Sequence, residues 1–289
     1  MKIQNLLEGT IKVPEDVYNG AMSLVCGHIF SMILTYLNSD DGEEYFDNTK
    51  AVKDKATEYK AKYGDFKLKR MNYDDDTQGV VDLHGSSLDQ RYLKRNEKFK
   101  NKKQGIDVIV MNQPREDGHQ GLYVPKQVGY APSIFINTPS TGGVQRLARS
   151  PEYIDSVITR LEGTVEHELI HAIQQLGFDN LDMETSHIDD NDNIKDNDAY
   201  YGSQEEFDPM VVTHAKEFVA FLKHFKARNN RLSGAEIKQA FLAFTNPSAK
   251  PPERVEMETP QFFDTLYRKD KNRWRDAVKK TYQKIKELQ

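Results

Sequence analysis

The stretch His167-Glu168-Leu169-Ile170-His171 restricts this chain more than any other, because it lies inside one long segment, from about Pro151 to Leu176, whose apolar residues recur at helical spacing. In an α-helix each residue turns about 100° and rises about 1.5 Å, so His167 and His171 stand one turn apart and within about 40° of the same face. Two imidazoles placed like that can share one metal ion. Glu168 projects roughly a quarter-turn away, too far round to reach the ion itself but within reach of a water that the ion holds. This is the arrangement of a metal-assisted hydrolase, with zinc as the expected ion.

The host segment supports the motif. Pro151 suits a first helical turn, Ser150 can cap it, and Glu152 and Asp155 place negative charge where the helix dipole favours it. Ile154, Val157, Ile158, Leu161, Val165, Leu169, Ala172, Ile173 and Leu176 fall three and four residues apart and predict a buried stripe. Gly177 follows the last of them as a C-cap.

Two histidines leave a tetrahedral zinc one protein ligand short if the fourth position is kept for water. The extended pattern that continues with Gly and then His beyond the second histidine is not met, since Gln174 and Gly177 occupy those places. The third ligand must come from elsewhere. Glu205 and Glu206 lead, at or just before the start of a helical segment that follows an acidic loop, while His187, His214 and the aspartates of that loop stay open. Ser203 precedes Glu206 at capping-box spacing, which gives that glutamate a competing structural explanation.

The rest of the chain reads as α+β. A length of 289 residues can bury a substantial core, and 37 % hydrophobic with 10 % aromatic residues excludes a disordered chain. A net charge of −5 offers no whole-molecule attraction to nucleic acid. Cys26 is the single cysteine, so no internal disulfide framework exists, and it lies in an apolar run as a small core residue. That run, Val17 to Leu37, carries no charge, yet Asn19, Ser23, His28, Ser31 and Thr35 interrupt it and no basic segment directly precedes it. It predicts a buried helix, with His28 in the core or at its rim, rather than a membrane span or a secretion signal.

Residues 1–65 make a helical N-terminal part, with a strand-like arm at 9–13, a helix over 15–38 and a second over 49–62 stopped by Gly64. Residues 66–177 carry the sheet and the histidine helix: short strand-like runs at 66–70, 79–84, 106–111, 121–124 and 133–137, with a basic helical segment over 87–103. The run 133–137 is either a core strand or a sheet edge beside the metal, where an extended peptide can be held by backbone hydrogen bonds. Residues 178–289 comprise the acidic loop and helices over 210–228, 233–244, 260–268 and 271–288, the second of these opened by the capping box of Ser233 and Glu236. The basic segments read as solvated or packed helix faces, not as a nucleic-acid surface. With no internal repeat and no linker that forces a second domain, 1–289 reads as one domain.

His167-Glu168-Leu169-Ile170-His171-Ala172-Ile173-Gln174, followed by Tyr200-Tyr201 and by Ser203-Gln204-Glu205-Glu206-Phe207-Asp208, resembles the zinc metallopeptidases encoded by many bacteriophages. The likeness covers residues 105–225, with a weaker echo in the basic C-terminal helix. Those proteins resemble the gluzincin group in taking a glutamate as third ligand, directly before an apolar residue, which implies Glu206 before Phe207 here. The resemblance implies a zincin-like α+β fold, with a small mixed sheet packed on the histidine helix and a mainly helical C-terminal half. It implies Zn2+ held by His167, His171 and Glu206, and hydrolysis of a peptide or protein substrate in which Glu168 takes a proton from water and returns it to the departing amine. Tyr200, Tyr201 or His214 could donate to the developing oxyanion, with Tyr201 named beside Glu168 as catalytic. Other phage virion proteins are implied as further partners, and the host cytoplasm or the virion as location. The alternative is a catalytically inactive virion protein that retains the fold. Intact Glu168 favours the enzyme, because a purely structural zinc needs no general base.

Overall fold

A helix apolar on nearly every face belongs in a protein core or in a membrane. In the computed structural model, which describes residues 13–72, 74–82, 105–112, 120–124, 132–177, 197–203, 206–228 and 231–288, helix α1 (Glu15–Leu37) is of this kind, buried at Val17, Ala21, Val25, Ile29, Met32, Ile33 and Leu37. It ends where the Asn38 amide donates to Leu34 O at 2.5 Å and the Ser39 hydroxyl to Tyr36 O at 2.7 Å, which satisfies last-turn carbonyls. A 3₁₀ segment over Asp40–Asn48 leads into α2 (Thr49–Tyr63). Gly64, with φ 95°, closes α2 in a conformation that L side chains rarely adopt.

The expected strand at 66–70 does not form. The backbone there is satisfied by α1 side chains instead of a ladder: Lys69 N–H donates to Ser31 Oγ and Met71 N–H to Thr35 Oγ1, both at 3.1 Å. Phe66 stacks on Phe30 with ring centroids 6.0 Å apart and fits against Gly27. Two of the polar residues that interrupt α1, Ser31 and Thr35, thus serve as acceptors for the chain that crosses it, and Ser23 Oγ donates to Asp65 O.

The four-stranded mixed sheet runs in the order β1 (Thr77–Asp82), β2 (Gly105–Met111), β4 (Ser133–Asn137), β3 (Gly121–Val124). β2 pairs antiparallel with β1 and parallel with β4, and β3 pairs antiparallel with β4. Alternation places Ile106, Val108, Val110, Ile134 and Ile136 inside. Strand 133–137 is therefore not the edge. It lies between β2 and β3, and the outer strand on that side, among the described residues, is β3. Helix α3 (Thr141–Arg149) was not anticipated: Gly142 and Gly143 weaken its propensity, and packing of Val144, Leu147 and Ala148 supplies what propensity lacks. Asn48 Nδ2 donates to the carbonyls of Ala148 and Arg149 at 2.9 and 3.2 Å, and Arg149 donates to the Tyr36 hydroxyl at 3.0 Å.

The chain groups into two compact units. The first comprises residues 1–154 with 164–180, and the second residues 155–163 with 181–289. Helix α4 (Ile154–Gly177) supplies residues to both. The second unit is helical: α5 (Asn197–Gly202), α6 (Phe207–Ala227), α7 (Gly234–Thr245), α8 (Gln261–Lys269) and α9 (Lys271–Glu287). Its core is aromatic, built on Phe207, Phe218, Phe244, Phe262 and Phe263. Gly163 lets α4 approach α6 closely, since a Cβ there would lie 3.3 Å from Lys216 Cβ and 3.4 Å from Thr213 Cα. Beside that crossing Lys216 Nζ, fully buried, donates to Glu162 O at 3.1 Å, and Lys223 Nζ to Thr159 Oγ1 at 2.7 Å. The capping box at Ser233 and Glu236 forms as its spacing predicted. The expected arm at 9–13 and the basic segment 87–103 lie outside the described residues.

Candidate metal centre

Helix α4 begins after a 3₁₀ turn over Pro151–Tyr153, with Pro151 at its first position and no hydrogen bond from the Ser150 side chain. Its stripe of Ile154, Ile158, Leu161, Val165, Leu169, Ala172 and Ile173 is buried, and this fixes which way the intervening polar positions point. His167, His171 and Glu168 are only 8 %, 5 % and 7 % exposed, so the motif is an interior feature and not a pair of surface histidines.

The two imidazoles meet edge to face, with Nε2 atoms 3.0 Å apart. A tetrahedral ion with nitrogen ligands at about 2.0–2.1 Å sets two donor atoms about 3.3 Å apart, so the pair stands near the required spacing. His171 Nδ1 lies 3.1 Å from the Gln174 amide oxygen, which accepts when the ring proton is on Nδ1 and so leaves the Nε2 lone pair for a ligand. Gln174 was in view only as part of the motif, and its i+3 spacing from His171 is the signal that identifies it.

The third candidate ligand sits at the start of α6. Helix α6 starts at Phe207, with Pro209 in the first turn, where its missing N–H breaks no helical bond. Glu206 is therefore the N-cap residue, and its carboxylate makes no cap bond to the helix. Ser203 Oγ accepts from Glu206 N–H at 3.3 Å, as the capping spacing suggested, but Glu206 itself is used otherwise. The ligand atoms of His167, His171 and Glu206 all lie within 4.8 Å of one another, with all three residues buried. Two neutral imidazoles and one carboxylate form a donor set that suits a divalent ion, and a buried carboxylate is costly without a cation nearby. The group could hold a metal ion.

Glu168 lies against the sheet. A Cβ at Gly121, the first residue of β3, would stand 2.5 Å from Glu168 Oε1 and 2.6 Å from Thr164 Cγ2. The strand passes this close only because residue 121 is glycine. Sequence reasoning placed β3 in the sheet but missed Gly121 as a neighbour of Glu168, since no local pattern marks a contact between strand and helix.

Among the oxyanion candidates, Tyr201 lies on α5, half-buried and edge to face with Tyr200 at 5.0 Å between centroids. Burial pushes its phenol up, and the negative charges of Glu206 and Glu217 add to the shift, so it stays protonated and able to donate at neutral pH. His214 does not serve. Its ring is enclosed by Phe244, Phe262 and Phe263 at centroid distances of 6.0, 5.5 and 5.4 Å, and its Nδ1 lies 2.6 Å from Glu217 Oε2. Neither as third ligand nor as donor is it placed to act, because helical phase turns it into the aromatic core. Glu205, His187 and the acidic-loop aspartates up to Asp196 lie outside the described residues, while Asp198 is held by Arg268 and Lys269 at 2.8 and 3.0 Å. No protein family, curated protein or solved structure matches the chain.

Proposed function

We propose that the chain is a zinc-dependent metallopeptidase that cleaves peptide bonds in a peptide or protein substrate. One observation carries this reading: His167, His171 and Glu206 meet in the interior, and Glu168, on the same helical turn as the first histidine, is buried beside them. A metal held only for structure is closed by four protein ligands and needs no neighbouring carboxylate. A zinc ion in this group would supply Lewis acidity and a water acidified towards neutral pH.

The remaining work falls to the chain. Glu168 takes the proton from the attacking water and passes it to the leaving amine, a role that suits a buried carboxylate lying against the bare backbone of Gly121. Gln174 orients the His171 ring. Tyr201, kept protonated by burial and by its acidic neighbours, donates to the developing oxyanion. The outer strand β3, rather than the inner strand 133–137, offers backbone groups along which an extended substrate adds. Kinship with the bacteriophage metallopeptidases, and with it a location in the host cytoplasm or the virion, belongs to the same proposal.

Purified protein is expected to carry about one zinc per chain, lost in His167→Ala and in His171→Ala. Glu168→Gln is expected to keep the metal and to lose hydrolysis of a broad peptide library by roughly 10²–10⁴-fold, the usual contribution of a positioned acid-base group. Wild type and Glu168→Gln behaving alike on that library would remove the enzyme reading and leave the non-catalytic virion scaffold, with its metal, in its place.

A further inference from the structure

The described residues on both sides of Glu206 are gripped from the C-terminal helix. Gly202 ends α5, Phe207 begins α6, and Glu206 N–H donates to Ser203 Oγ at 3.3 Å, which ties the ligand candidate to the end of α5. Arg273, in the first turn of α9, donates from Nη1 to Gly202 O at 2.5 Å and from Nη2 to Ser203 O at 2.9 Å. The planar guanidinium also lies over the Phe207 ring, 5.0 Å from its centroid. Lys280, two turns further along α9, stands 4.9 Å from the same ring and 3.5 Å from the Asp208 carboxylate. One face of α9 thus holds the residues on both sides of Glu206.

The grip is itself fixed. Asp270 caps α9 by accepting from Asn272 N–H and Arg273 N–H at 3.0 Å each, which sets the start of the helix. Trp274 Nε1 donates to Thr245 O at 2.7 Å and ties the same turn to the end of α7. A forked donor on two successive carbonyls is what arginine can make and lysine cannot, since an ammonium presents a point charge to one acceptor at a time.

We propose that Arg273 is the positioning residue of the third ligand: by clamping the carbonyls of 202 and 203 it holds Glu206 where it can join His167 and His171. This rests on the metal-site reading above. Charge alone argues the other way. A cation near a metal site repels the ion, so a bystander arginine replaced by a neutral residue should leave zinc bound as tightly or more tightly.

The test is zinc affinity, measured by competition with a chromogenic chelator, in wild type, Arg273→Met, Arg273→Lys, Glu206→Gln and Arg273→Met/Glu206→Gln. Arg273→Met is expected to weaken zinc about 10–100-fold, the usual cost of losing a group that orients a ligand, and Arg273→Lys to weaken it less. In the Glu206→Gln background Arg273→Met is expected to change nothing further, because the ligand it positions is already lost. Arg273→Met and Arg273→Lys binding as wild type does would overturn the proposal. So would equal losses with and without Glu206, which mark a general structural role. Wild type that binds no zinc would instead overturn the metal reading, and this inference with it.

Discussion

A buried imidazole is least costly when neutral, and His28 shows what that does to stability. It is fully enclosed in the first unit, with Nδ1 3.0 Å from Thr77 Oγ1 and, among the described residues, no hydrogen-bond partner for Nε2. Burial, helped by the charge of Lys69 and opposed by Asp75, pushes the ring down to about 4 from its ordinary 6.5. The sign follows from proton binding. Below the unfolded value the unfolded chain takes up a proton that the folded chain refuses, so stability falls as pH drops from about 6.5 to about 4 and levels off beneath that. Each unit of pH in that window costs about 1.4 kcal/mol, or about 2 kcal/mol between neutrality and pH 5. Urea midpoints for wild type and His28→Leu across that range should diverge by this amount, with the variant losing less as the pH is lowered. Parallel pH profiles would show that the ring titrates normally.

At the scale of elements, the approach of β3 to α4 has a consequence for the chemistry. A methyl group at residue 121 meets the Glu168 carboxylate, the far end of a flexible side chain, and the Cγ2 of Thr164, which is stiff at χ1. The carboxylate can turn aside but the threonine methyl cannot, so β3 must also shift. Gly121→Ala should therefore cost about 1–3 kcal/mol of stability and leave zinc affinity within twofold, while kcat on a peptide substrate falls at least about tenfold. A kcat unchanged from wild type would show that the position of Glu168 tolerates the shift. None of this could be read along the chain. Helices α4, α6 and α9 were legible from an apolar period, α1 from an uncharged apolar run, and α2 and α7 from a stop or start signal of their own, Gly64 and Ser233. The histidines and Glu168 were legible for the same reason, since their geometry is set within one helical turn. Glu206 needed a motif resemblance, because two elements far apart in sequence supply the group. What escaped depends on partners from distant segments: the 66–70 run borrows its hydrogen bonds from α1, α3 overcomes its two glycines by packing, and strand order placed 133–137 inside the sheet.

For the molecule as a whole, the absence of covalent ties makes a bound ion the strongest available link between folding and function. The chain has one cysteine, buried in α1, so no disulfide limits its unfolded state. The two compact units were not foreseen because the division runs through the unbroken helix α4, where no change of composition marks it. An ion held by His167, His171 and Glu206 binds the folded chain and finds no comparable arrangement in the unfolded one. Zinc at about 1,000 times its dissociation constant should then add about 4 kcal/mol, which for a chain of this size raises the melting temperature by roughly 10 °C. Glu168→Gln should show the same rise, because Glu168 is not a ligand, whereas His171→Ala should show none. A chelator should reverse the rise in wild type. A wild-type melting curve that zinc leaves unmoved at pH 7.5 would mean that the three side chains, though close, do not act as one site, and the hydrolytic reading would lose its physical basis.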